Sequence, residues 1–121
     1  MKQDKTQMPA RLHAGEIQIQ GQDWGGMNVA RIRFPKGADA KPLLEGLPGN
    51  LCQCPHWGVV VKGAIRVDYA DGRSETVRAG EVYHWPAGHT VRVEEDYEAI
   101  EFSPAQEMGA VIDHLRAKLG A

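Results

Sequence analysis

Apolar and polar side chains alternate with period two over Glu16-Ile17-Gln18-Ile19-Gln20 and resume over Asn28 to Phe34, so both runs read as β-strands. Gly21 and Gly25-Gly26 punctuate them. Residues 1–15 carry charged and amide side chains without periodicity and read as a flexible segment. Lys36 to Asn50 holds Gly37, Pro42, Gly46, Pro48 and Gly49, which predicts a long loop over one end of the domain, with one helical turn within Ala40 to Glu45. Leu51 to Val61 is extended and ends at Lys62-Gly63, a tight-turn signal. Ile65, Val67 and Tyr69 then alternate with polar residues, which predicts a hairpin. Asp71-Gly72 is a type I′ turn pair. Further strands follow over Ser74 to Arg78 and Val82 to Trp85, with Pro86-Ala87-Gly88 as a turn. Val91 and Val93 start another, Glu95-Asp96 turns the chain, and Glu98, Ile100 and Phe102 close the set. About seven or eight short strands at this spacing predict an antiparallel sandwich or barrel.

The period then changes. Met108, Val111, Ile112, Leu115 and Leu119 fall at helical intervals, preceded by Ser103 as N-cap, Pro104 at the first helical position and Gln106 completing a capping box. The prediction is an all-β domain over 16–121 that includes one C-terminal α-helix over 104–119.

Composition narrows the functional classes. The 121 residues, 42% hydrophobic and 25% charged, are those of an ordinary globular domain. Fourteen Lys and Arg against sixteen Asp and Glu give a net charge of -2 with neither sign clustered, so nucleic acid and anionic membranes are not expected partners. Neither a signal peptide nor a long apolar run is evident, which places the chain in the cytoplasm as an expectation. Cys52 and Cys54 are separated by one residue, too close for an ordinary disulfide, and fit a reduced pair with a metal or redox role.

Chemistry concentrates around these thiols. On an extended strand Cys52, Cys54 and His56 share one face, and His89 is in phase with Val91 and Val93 and points inward. Thiolate and neutral imidazole together suit zinc and other late first-row cations better than calcium or magnesium. In a straight strand the Cα atoms of Cys52 and His56 stand about 13 Å apart, so one ion cannot reach both without a bend, which Pro55 can supply. Two or three of Cys52, Cys54 and His56, plus His89, are the candidate metal ligands.

From Asn50 to Phe102 the chain resembles the cupin superfamily, whose barrels carry the motifs His-x-His-x(3,4)-Glu-x6-Gly and Gly-x5-Pro-x-Gly-x2-His. Gly80, Pro86 and Gly88 match the second motif, with Val91 at its histidine position and His89 two residues earlier. Counting back from Gly63 places His56 at the glutamate of the first motif, Cys52 at its second histidine and Asn50 at its first. The resemblance implies a jelly-roll β-barrel with a divalent metal and a small polar molecule in its mouth, and a homodimer. Cys and His in place of His and Glu point away from the iron or manganese of cupin dioxygenases and toward zinc, a different metal, or an abandoned site.

Other residues read more simply. His84 points into the barrel as a proton shuttle or, on the simpler reading preferred, lies on the outer sheet face; His13 and His114 are in solvent; and Trp24, Trp57 and Trp85 serve packing or a dimer interface, unless one lines the pocket and stacks on a ligand. Glu94, Glu95 and Asp96 form a solvated charge run, and no carboxylate is in phase with the cysteines. Three functional readings remain open: a metal-dependent enzyme of unassigned class, a non-enzymatic metal or redox sensor or binding module, and a metal-free barrel.

Overall fold

The computed structural model describes residues 1–120, and among these the chain forms seven β-strands and one α-helix. The strands are β1 (Ala10–Ala14), β2 (Ile17–Trp24), β3 (Met27–Phe34), β4 (His56–Tyr69), β5 (Ser74–Arg78), β6 (Val82–Trp85) and β7 (His89–Pro104), followed by α1 (Ala105–Leu119). They pair antiparallel in the order β1-β2-β3-β7-β4-β5, with β6 on the free side of the first half of β4. Gly25 (φ 56°) and Gly26 (φ 82°) close the β2–β3 hairpin, where Trp24 faces Met27.

Two long strands bend this sheet into a jelly roll. Trp57 to Lys62 of β4 pairs with Glu98 to Phe102 of β7, and Ala64 to Tyr69 pairs with His89 to Glu95. The first half of β4 carries β6 and the second half of β7 carries β3 on their flanks, and the second half of β4 carries β5. The sequence signals at Lys62-Gly63 and Glu95-Asp96 therefore mark no turns. They are two sides of one irregularity where the β4–β7 register shifts. Gly63 is required there: its φ is +84°, and a Cβ would stand 2.0 Å from the carbonyl oxygen of Asp96. The expected hairpin at this point is thus a single 14-residue strand.

Three other expectations are corrected. The segment 1–15 contains β1, paired with β2 from Ala10 to Ala14, and Lys5 Nζ meets Glu98 Oε2 at 2.5 Å. Only Leu12 of β1 is buried, so the strand leaves too little periodicity to detect. At Asp71-Gly72 only Gly72 has a positive φ, which excludes a type I′ turn. Finally, the helix begins at Ala105 with no side-chain cap, because Ser103 is buried in the interior.

The connection between β3 and β4 covers the first half of β7. Its backbone bonds to that edge through Gly37 and Ala40 N–H to the carbonyls of Val93 and Val91, and its 3₁₀ turns span Lys41–Leu43 and Pro48–Asn50. Met108, Val111 and Ile112 bury the inner face of α1 against the core, and Gly120 ends it with φ 69°. No helix among the described residues is long and apolar enough to cross a membrane.

Candidate metal centre

Cys52 and His89 form an isolated antiparallel bridge, with Cys52 N–H donating to the His89 carbonyl at 2.8 Å and Gly88 N–H to the Cys52 carbonyl at 2.8 Å. His56 opens β4 opposite Trp85. Between them the chain leaves the sheet, so Cys52, Cys54 and His56 do not lie on one straight strand as alternation predicts. The bend carries Cys52 Sγ to 3.6 Å from His56 Nε2. One donor atom from each of Cys52, His56 and His89 then lies within 4.8 Å of the others, and all three residues are buried. Cys54 does not join this group. It is fully buried with its thiol turned to the Pro55 carbonyl at 3.5 Å, because the bend has broken the period-two alternation that placed it beside Cys52.

Both imidazoles are oriented from behind. His89 Nδ1–H donates to the Pro86 carbonyl at 2.8 Å, which leaves Nε2 unprotonated in the neutral ring. His56 Nδ1 contacts Ser103 Oγ at 2.6 Å and Glu101 Oε2 at 3.5 Å, while Nε2 faces Cys52. This is how metal-bound histidines are held in general: the far nitrogen is anchored and the near lone pair is aimed. Burial drives the His56 pKa down to about 3 and that of His89 down to about 4, so both rings are neutral near pH 7. Burial also pushes the Cys52 thiol up to about 12. A soft cation would have to displace that proton, so uptake of the ion releases it.

Glu101, which contacts His56 behind the cluster, is the residue that sequence reading missed. It is 5% exposed, Tyr83 OH donates to its Oε1 at 2.8 Å, and burial raises its pKa to about 7. The sequence pattern marks a strand at Glu98, Ile100 and Phe102 without giving its inward face, and it is Ala99, Glu101 and Ser103 that are buried, with Phe102 41% exposed. Strand β6 has the same phase: Tyr83 and Trp85 are buried, whereas Val82 and His84 are exposed. His84 stacks on Trp57 across the outer face at 4.6 Å, in keeping with an outer position. His13 is exposed, and His114 is half-buried with Nε2 donating to the Glu45 carbonyl at 3.0 Å.

The cluster borders a cavity of about 100 Å³. His56, His89, Glu101 and Trp85 line it, and Ile32, Phe34, Leu44, Met108 and Leu115 bring apolar surface from β3, the connection after it and α1. Trp85 Nε1 and Thr90 Oγ1 are buried without a hydrogen-bond partner.

Bent paired strands, a C-terminal helix and a buried donor cluster between the strand ends define a cupin fold, in agreement with the sequence resemblance. An RmlC-like cupin from Shewanella frigidimarina is similar with a TM-score of 0.63 and 20% identity over 88% of this chain and 92% of that one. A protein of Neisseria meningitidis gives 0.55 and 20% identity over 72% and 82%. A variant of Bacillus subtilis oxalate decarboxylase gives 0.58 and 18% identity, with 83% of this chain covering 28% of the enzyme. No family model matches the sequence, and no curated protein does either.

Proposed function

We propose that this protein is a small cupin that holds a divalent cation, zinc by its donor chemistry, through Cys52, His56 and His89, and binds or transforms a small molecule in the adjoining cavity. The anchored imidazoles carry this reading: two buried neutral rings have their Nδ1 atoms engaged by Pro86, Ser103 and Glu101, His56 Nε2 faces the Cys52 thiol, and a donor atom of each of the three residues lies within 4.8 Å of the others. Sulfur with two imidazoles suits zinc. Three protein ligands leave one position of a tetrahedral ion open, as in catalytic and not structural zinc sites. When bound, such an ion supplies Lewis acidity and lowers the pKa of water. The chain contributes Glu101 as the nearby proton-holding group, at Oε2, with Tyr83 steadying Oε1.

The thiols are poor redox sensors in these surroundings, since burial pushes Cys54 as well as Cys52 up to about 12 and leaves little thiolate. Two buried free cysteines suit the reducing cytoplasm, where we place the protein. We also propose a homodimer, formed through the outer sheet face that presents Trp57, Val61, Val82 and Phe102.

Elemental analysis of protein expressed without added metal tests the site. About one zinc per chain is expected in the native protein and in Cys54→Ala, and less than a tenth of that in Cys52→Ala and His89→Ala. Stoichiometric metal in both of the latter would overturn the assignment.

A further inference from the structure

The cavity walls are chemically unequal. Polar side chains come from the bend at 52–56, from the β6–β7 turn region, from Tyr97 and Glu101 and from Asp39, while β1 to β3, the rest of the connection after β3 and α1 contribute mainly aliphatic and aromatic carbon. Three donors of lining residues, Trp85 Nε1–H, Thr90 Oγ1 and Tyr97 OH, are buried without partners, and each such group costs stability until something accepts from it. Trp85 is 3% exposed and packs edge-on against His56, so its orphaned donor belongs to the same small region as the metal ligands.

We infer that this cavity selects a ligand with one oxygen-bearing anionic head and one short apolar body, the chemistry of a short-chain aliphatic monocarboxylate. The inference rests on the metal reading above, because the head is taken to be held by the ion as well as by the orphaned donors. A carboxylate does both: it ligates a hard-to-borderline cation and accepts hydrogen bonds. The body meets the carbon of Ile32, Phe34, Leu44 and Met108, and Asp39, which also lines the cavity, disfavours a second anionic group. Size sets the limit. At about 100 Å³ the space is smaller than the roughly 150 Å³ apolar cavity that admits benzene, so the body holds roughly three to five carbons.

Calorimetric titration of the zinc-loaded full chain with acetate, propionate, butyrate, succinate and butylammonium tests this. Each methylene from acetate to butyrate is expected to tighten Kd about fourfold, since it leaves water for carbon. Succinate, with the same chain length and a second charge, is expected to bind at least tenfold more weakly than butyrate, and butylammonium not at all. Ala40→Leu and Leu115→Phe, which narrow the apolar side, are expected to keep one zinc per chain and lose the chain-length gain. A Kd that is flat from acetate to butyrate, or succinate binding as well as butyrate, overturns the inference while a stoichiometric zinc content leaves the metal reading standing. Failure of the native chain to take up zinc overturns both.

Discussion

Ser103 decides between two roles that a serine before a helix can have. As a helix cap its loss would cost helix stability, but α1 has no side-chain cap and the Ser103 hydroxyl lies 2.6 Å from His56 Nδ1. Ser103→Ala is therefore expected to weaken zinc binding about 10- to 100-fold, measured by competition with a chromophoric chelator, with helical circular dichroism unchanged. The capping pattern was legible and misleading, because a hydroxyl at that position can turn to whichever donor or acceptor the fold brings near. Cys52, His56 and His89 could be named in advance by residue type, since few side chains bind soft cations. Glu101 could not: an alternating strand has two faces, the apolar side chain beside the carboxylate is the natural choice for the inward one, and here Phe102 faces out instead.

Strands were easy to find and hard to bound, and Gly63 shows why. A glycine in a strand signals either a turn or a bulge, and only the partner strand distinguishes them. Here the partner is Asp96, so Gly63→Ala meets both a positive φ and a backbone oxygen and is expected to cost more than about 2 kcal/mol in urea denaturation. Gly72→Ala has a similar φ of +89° with open space around it, and about 1 kcal/mol is expected. Equal losses at the two sites would refute a close-packed bulge. The N-terminal segment makes a second test. Burial alone would raise the Glu98 pKa, but hydrogen bonds from Lys5 and Arg31 outweigh it and hold the carboxylate below its ordinary value. A depressed folded pKa stabilises above the unfolded value, about 4.5, and that stability drains away as pH falls through the folded pKa. Glu98→Gln is thus expected to lower the urea midpoint at pH 7 by about 1 kcal/mol equivalent, a gap that closes as pH is taken below 4.

At the scale of the whole molecule, the fold spends its inward positions on an unusual mixture of polar groups and displaces apolar ones outward. Glu101 and Ser103 face the interior from β7, and His56 from the start of β4. Trp57 and Phe102, cross-strand partners on β4 and β7, therefore face outward at 43% and 41% exposure, and Val82 on β6 is 80% exposed. These side chains belong to hydrogen-bonded neighbouring strands, so they form one surface and not scattered residues. A two-fold dimer would pair this surface with itself and remove both copies from water. Light scattering during size exclusion is expected to give twice the chain mass for the native protein at tens of micromolar. Trp57→Lys combined with Phe102→Lys is expected to give the single-chain mass with zinc content unchanged, because neither side chain touches the interior cluster. A native protein that runs as a monomer would instead mean that the outward shift of these apolar groups follows solely from placing polar side chains inside.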